Sequence, residues 1–402
     1  MPTAIIAGAT GILGRALIQR LSSNPQKWPT IHALSRSQKE NYPSNVKHIF
    51  VDLTANADQL AKNLQGIEAE YVFFAAYLQK DTEQENWDVN GALLRNFLQA
   101  LIVSGADKKL KRVILVNGAK QYGVHLGPSK LPCEESDPRV EGPGRPPNFY
   151  YNQQDILVEM SEEKAWDWVV TIPGDVIGFA RGNFMNLASS LAIYATVCRE
   201  LGEGLYYPGC ERSYRAFDSP TSSKLHAEFC EWAAFEPKCS NEILNAVNDD
   251  ILTWQSTWSK LAHRFSCIVP PDQFVQPAPL PSLMNLSELP PILDYANSAG
   301  LAGRVEPGAV EQRVDLVRWS QRPEVKRAWE TVVDRAGLDA SALQKATWQF
   351  SGFVLGRNFD LVLSMSKARK LGWTGYCDSW DAFTDVFDEL EKEKIIPQSR
   401  KS

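Results

Sequence analysis

Short apolar runs alternate with longer stretches of helical periodicity through the first half of the chain. Ala4-Ile5-Ile6-Ala7 reads as a strand, and residues 15–21 place apolar side chains at helical spacing. The alternation repeats. Strand candidates follow at residues 31–34, at the run closing in Val51-Asp52-Leu53-Thr54, at residues 72–77, 112–116 and 168–172, and again at 242–247. Helix candidates span residues 83–104, 149–163 and 183–201, with amphipathic helices at 324–336 and 380–394. Strands alternating with helices predict a doubly wound parallel α/β sheet of the Rossmann type, with a smaller, mostly helical C-terminal substrate lobe. The expected nucleotide domain covers residues 1–175 and is rejoined by about residues 210–250. The lobe takes 176–209 and 251–402. Residues 270–307 are dense in proline and predict neither regular helix nor central sheet. An ordinary loop is the default there. The functional readings are an active-site lid and an oligomer contact, such as that of a homodimer.

Between the first strand and the first helix lies Gly8-Ala9-Thr10-Gly11-Ile12-Leu13-Gly14. Glycine spacing alone is a weak signal, but strand, glycine turn and helix in this order form a dinucleotide cradle. The backbone approaches a pyrophosphate closely, and the helix N-terminus favours its charge. The second strand ends in Ser35-Arg36-Ser37, with no acidic residue to take a ribose 2′-hydroxyl. A guanidinium suits a 2′-phosphate, so the expected cofactor is NADPH. A solvated surface arginine is the alternative for Arg36. Asp52, beside Leu53, would meet the adenine, and Ala75 would let the cofactor backbone approach. Pro173 and Val176, leaving the sixth strand, would lie at the nicotinamide.

Tyr151 stands where a dehydrogenase of this type carries its catalytic tyrosine, yet Asp155 occupies the place four residues on that a lysine normally holds. A phenol acting near neutral pH needs a cation beside it. Lys120, in Asn117-Gly118-Ala119-Lys120-Gln121-Tyr122 after an apolar run, can supply one from a strand end. Tyr151 and Lys120 are therefore the expected catalytic pair. For Tyr150 and Phe149 the expected role is packing or pocket wall.

Composition narrows the rest. The 402 residues carry a net charge of −6, which argues against a nucleic-acid or anionic-membrane surface. No apolar run reaches membrane-spanning length, and the chain starts directly on a strand. Seven scattered cysteines without a CxxC pair suit reduced thiols, and the five histidines are isolated, so no metal site is expected and the location is read as cytoplasmic.

Together these residues resemble the progesterone 5β-reductase/iridoid synthase-like family of atypical extended short-chain dehydrogenase/reductases. The glycine turn, Ser35-Arg36-Ser37, Trp87-Asp88-Val89-Asn90, Gly118-Ala119-Lys120-Gln121-Tyr122, Asn148-Phe149-Tyr150-Tyr151 and Ser364-Met365-Ser366-Lys367-Ala368-Arg369 carry the likeness over most of the chain. Gln121 stands where the plant enzymes usually show histidine, and the proline-rich stretch is longer than theirs. The overall pattern is closer to fungal relatives, many serving secondary metabolism. The resemblance implies NADPH-dependent 1,4-reduction of an enal or enone, with Tyr151 as the catalytic tyrosine and Lys120 its partner. A small molecule, of terpenoid or polyketide origin, would be the substrate. A non-redox cyclase or isomerase of a reactive intermediate is the alternative on the same scaffold. A nucleotide-sensing regulator is a third reading, disfavoured by the intact tyrosine and lysine.

Overall fold

A computed structural model describes residues 2–38, 40–182 and 185–398. Its centre is a seven-stranded, wholly parallel sheet. The first six strands are β1 (Thr3–Ala7), β2 (Thr30–Ser35), β3 (Val46–Phe50), β4 (Tyr71–Phe74), β5 (Arg112–Val116) and β6 (Asp167–Ile172). Glu242–Asn245 is the seventh, and the spatial order runs Glu242–Asn245, β6, β5, β4, β1, β2, β3. The order reverses between β1 and β4, so a crevice opens there at the carboxyl ends of the strands. Strands buried on both faces explain the nearly continuous apolar runs. One face packs residues of β1, β4 and β5 on Leu93, Phe97 and Leu101, while the other packs Ile6, Phe73 and Ile114 on Leu17, Trp28 and Ala227.

The crossover helices are α1 (Ile12–Ser22), α2 (Ala57–Asn63), α3 (Glu83–Ser104) and α4 (Phe149–Ser161). Caps fix where α3 and α4 begin. Thr82 and Glu85 form a reciprocal capping box at the start of α3, which ends on Gly105 at φ 73°. Asn148 caps α4 by accepting from the Tyr150 amide.

The second lobe is mostly helical, as its periodicity predicted. The helix expected from residue 183 runs Leu187–Leu201 as α5; Asn183 lies outside the described residues. Around α5 gather the helices Trp254–Phe265, Pro323–Ala336, Trp348–Gly356 and Ser379–Lys392. Tyr194, Trp258, Trp319, Val325, Leu355 and Phe387 are among the side chains of their shared core. Within the proline-rich segment, Ser282–Asn285 pairs antiparallel with Ala309–Gln312, forming a small ribbon outside the central sheet.

The two lobes are fastened by polar groups. Asn245, at the end of the seventh strand, accepts from the Tyr122 hydroxyl at 2.6 Å and donates to the carbonyls of Cys133 and Ser364. Lys367 donates to the Ile243 carbonyl at 2.9 Å. Buried Arg357 meets Asp175, on the loop leaving β6, at 2.6 Å and also pairs with buried Asp218. Arg357→Leu is expected to cost about 3–5 kcal/mol, because two carboxylates then lack their counter-charge. Urea unfolding followed by tryptophan fluorescence measures that loss.

Candidate functional site

The cradle begins with Gly8, whose φ of +83° suits glycine and whose added Cβ would lie 2.6 Å from the Ala75 carbonyl oxygen. Gly14 is equally constrained. A Cβ there would lie 2.2 Å from the Gly8 carbonyl oxygen, so glycine is what lets α1 pack on its own entry turn. Gly11 is the N-cap of α1, held by its amide to the Gly8 carbonyl at 3.0 Å, and no side chain caps the helix. The first amides of α1, those of Ile12 and Leu13, thus end at the crevice beside Ala9 and Thr10. An anionic pyrophosphate fits this end through hydrogen bonds and the helix dipole.

Beyond β2, the Ser35 hydroxyl is turned inward, donating to the Ser37 carbonyl at 2.7 Å and lying 3.0 Å from His48 Nε2. Arg36 is exposed. The Thr54 amide and hydroxyl hold Asp52 below the usual carboxylate range, and the charge of Arg36 adds to this. Arg36 and Asp52 therefore face one region, with Leu53 next to them. On the far side, Pro173 is buried where the chain leaves β6, and Val176-Ile177 pairs with Thr221-Ser222.

The catalytic candidates sit where β4, β5 and the starts of α3 and α4 converge. Lys120 lies on a short turn of helix, Ala119–Tyr122, just after β5. Its ammonium contacts both carboxylate oxygens of Glu83 at 2.6 Å and lies 5.5 Å from the centre of the Phe149 ring. Burial pushes its pKa down, and Glu83 works against that shift. Glu83 occupies the first turn of α3, fixed by the Thr82 capping box. Asn148, the cap of α4, donates to the Lys120 carbonyl at 2.8 Å. Three elements are thus tied at one lysine.

The two tyrosines part company. Tyr151 is buried, its hydroxyl donating to the Gln121 carbonyl at 2.6 Å and accepting from the Val140 amide at 2.9 Å. Arg139 lies over the Tyr151 ring at 5.0 Å and pairs with Asp155, which is exposed. The hydroxyl facing the end of β5 belongs to Tyr150 instead. A Cβ added at Gly118 would lie 2.8 Å from it. Burial raises the pKa of Tyr150, and Glu83 adds to the rise, so the phenol is held neutral as a donor. Tyr77, on the loop leaving β4, stacks on Phe149 at 5.1 Å, and Phe149 in turn lies 4.3 Å from the Tyr150 ring.

Counted from Tyr150, the fourth residue on is Gln154, not Asp155. Its amide donates to Asn117 Oδ1 at 2.9 Å and to Gln121 Oε1 at 2.8 Å. A buried amide network stands where a lysine would otherwise lie on the tyrosine helix. Sequence reading gave Tyr150 a packing or pocket-wall role and did not single out Glu83 or Gln154. A register shift by one residue would have found Gln154, but nothing local marks Glu83, which is 37 residues from its lysine.

Among the described residues no three His, Cys, Asp or Glu side chains gather as a metal site, all seven cysteines are free, and no helix is long and apolar enough to cross a membrane.

The family model described as a PRISE-like Rossmann-fold domain matches residues 4–285. An uncharacterized protein of Schizosaccharomyces pombe is 43% identical over 401 residues, covering 98% of each chain. The short chain dehydrogenase gsfE of Penicillium aethiopicum is 31% identical, covering 98% of this chain and 99% of that one. An (S)-8-oxocitronellyl enol synthase of Nepeta racemosa is 28% identical, covering 98% and 93%. Among solved structures, a UDP-glucose 4-epimerase of Thermotoga maritima superposes with a TM-score of 0.59 at 14% identity over 96% of this chain and 99% of its own, a likeness of fold.

Tyr151→Phe is expected to destabilise the protein by about 1–3 kcal/mol, since it leaves the buried Val140 amide and Gln121 carbonyl without their shared partner. Chemical denaturation of the variant beside the wild type measures this.

Proposed function

The chain belongs to the PRISE-like Rossmann-fold family of NAD(P)-binding, oxidoreductase-like enzymes, and on that premise we propose that it reduces an activated carbon–carbon double bond with NADPH. The observation that carries the reading is the neutral Tyr150 hydroxyl at the end of β5, with Lys120 anchored beside it by Glu83. When bound, NADPH supplies a hydride to the β-carbon of an enal or enone. Charge then develops on the carbonyl oxygen. Tyr150 donates a hydrogen bond to that oxygen, an oxyanion-hole role, and can pass it a proton. Lys120 holds the phenol or the ribose and offsets the developing negative charge. Phe149 and Tyr77 wall the place where the planar unsaturated group lies and exclude water from it.

The Nepeta relative carries the name of an enol synthase. An enol is what hydride addition to the β-carbon of an enal leaves once its oxygen is protonated, which supports 1,4- over 1,2-reduction. Likeness to a fungal short chain dehydrogenase supports a place in secondary metabolism. For the cradle we propose Gly8, Thr10, Gly11, Ile12 and Gly14 at the pyrophosphate, Ser35, Arg36, Asp52 and Leu53 around the adenosine, and Ala75, Pro173 and Val176 toward the nicotinamide.

The decisive experiment supplies NADPH deuterated at the transferable position together with a small activated enal. Deuterium is expected at the β-carbon. Label at the carbonyl carbon would make this an alcohol-forming reductase, and product formed without label would favour the cyclase or isomerase reading. The cofactor assignment has its own test. Arg36→Ala is expected to weaken NADPH binding by about 1.5–3 kcal/mol through loss of a charge-assisted contact, with NADH binding hardly changed. Fluorescence titration with both cofactors reads the difference.

A further inference from the structure

The loop leaving β6 packs directly on the segment 219–221. A Cβ on Gly174 would lie 2.1 Å from the Ser219 carbonyl oxygen, and the Thr221 amide donates to the Asp175 carbonyl at 2.9 Å. The Asp175 carboxylate meets Nη2 of Arg357, the residue closing the helix Trp348–Gly356, at 2.6 Å. The same nitrogen also pairs with Asp218 Oδ2. Asp218 ends the two-residue strand Phe217–Asp218 and bridges to Leu361, while the Arg357 backbone bridges to Val310 of the ribbon. One cluster thus joins the exit of the central sheet to the second lobe. Its charges do not balance. Two carboxylates share one guanidinium, with side chains 15% and 6% exposed against 4% for Arg357. Asp218 Oδ1 is buried without a hydrogen-bond partner among the described residues, and Asp175 Oδ2 has the ion pair alone.

Arg357, Asp175 and Tyr207 are the charged and titratable groups that face Asp218 among the described residues. Tyr207 gives its hydroxyl proton to the Leu355 carbonyl at 2.7 Å, so it offers neither carboxylate a donor. A desolvated carboxylate beside a second one favours its protonated form. Burial pushes Asp218 up to about 7, while Arg357 works against the shift and Asp175 adds to it. We propose that the cluster is a pH-sensitive latch, in which one proton on Asp218 balances the charge and keeps the two lobes fastened. With the proton bound, Arg357 and Asp175 form a neutral pair. Without it a surplus negative charge stays in the joint, and Asp175, the more exposed carboxylate, is the one able to swing toward water. The loop that moves with it carries Pro173 and Val176. A carboxyl raised above its unfolded value of 3.8 keeps its proton longer in the folded state, so this group's contribution to stability falls as pH rises toward about 7.

The test compares urea unfolding of the wild type with that of Asp218→Asn, an isostere of the protonated carboxyl, between about pH 5 and pH 8.5. Taking the ratio of the two unfolding constants cancels the titration of groups that both proteins share. Over that range the ratio should shift by about tenfold or more in favour of the asparagine variant. Asp175→Asn, which leaves one carboxylate for one guanidinium, should flatten the dependence in the same way. The double variant leaves Arg357 buried without a partner and should be the least stable of the four at every pH. A ratio that stays constant, or a shift in favour of the wild type, overturns the proposal, since both carboxylates are then ionised and held by Arg357. A second arm needs only the wild type. Hydrogen exchange at the Thr221 amide, corrected for its intrinsic dependence on pH, should quicken by about tenfold across the same range as the latch loosens. Infrared spectra should show the stretch of a buried protonated carboxyl at the acid end and lose it at the alkaline end. Unchanged exchange, or no such stretch at either end, overturns the latch even where the variants do not fold.

Discussion

A partly buried ammonium is steadied by a counter-charge, and the way Lys120 keeps its own organises the site. The pair with Glu83 spans β5 and α3, and α4 joins it through the Asn148 bond to the Lys120 carbonyl. Both side chains keep some contact with water, so loss of one partner costs less than the ~3–5 kcal/mol typical of a fully buried pair. The Thr82 capping box therefore has a consequence beyond helix stability, since it sets the position of Glu83 and through it the lysine. With the ammonium carried by the turn after β5, the fourth residue after Tyr150 is not a lysine. Gln154 takes that place and spends its amide on Asn117 and Gln121, locking α4 to the turn that carries Lys120.

Rigidity continues outward from this point. Asn86 and Asn90 on α3 bond the backbone of Lys80 and Leu78, fixing the loop that presents Tyr77. On the opposite side, the 290s pack against the turn after Lys120, and Asn245 joins the Tyr122 hydroxyl to the Cys133 and Ser364 carbonyls. The late segment 364–369 is thus part of the frame around the crevice. Its Lys367 and Arg369 bond the Ile243 carbonyl and Asp249.

Much of the frame was legible because it is written in local periods. Parallel strands buried on both faces give short apolar runs, and the glycine turn is forced by contacts as close as that of Gly14 with the Gly8 carbonyl. The site was less legible. Adjacent helical residues point about 100° apart, so Tyr150 and Tyr151 occupy different environments although one pattern contains both. Which one faces the crevice depends on the Val140 amide and the Gln121 carbonyl, which claim Tyr151, and no local pattern announces them. The ribbon in the proline-rich segment was equally hidden. Its four-residue strands are partly exposed and pair across a long loop, so neither burial nor a tight turn marks them.

The account turns on which tyrosine meets the substrate, and one comparison tests that directly. Turnover of a small enal at saturating NADPH is measured for Tyr150→Phe and Tyr151→Phe side by side, at a temperature where both variants are folded. Losing an oxyanion donor lowers kcat by about 10²–10³. That loss is expected for Tyr150→Phe, with cofactor binding retained, while folded Tyr151→Phe stays within about tenfold of the wild type. The reverse pattern, with Tyr150→Phe active and Tyr151→Phe inert but folded, would contradict the account.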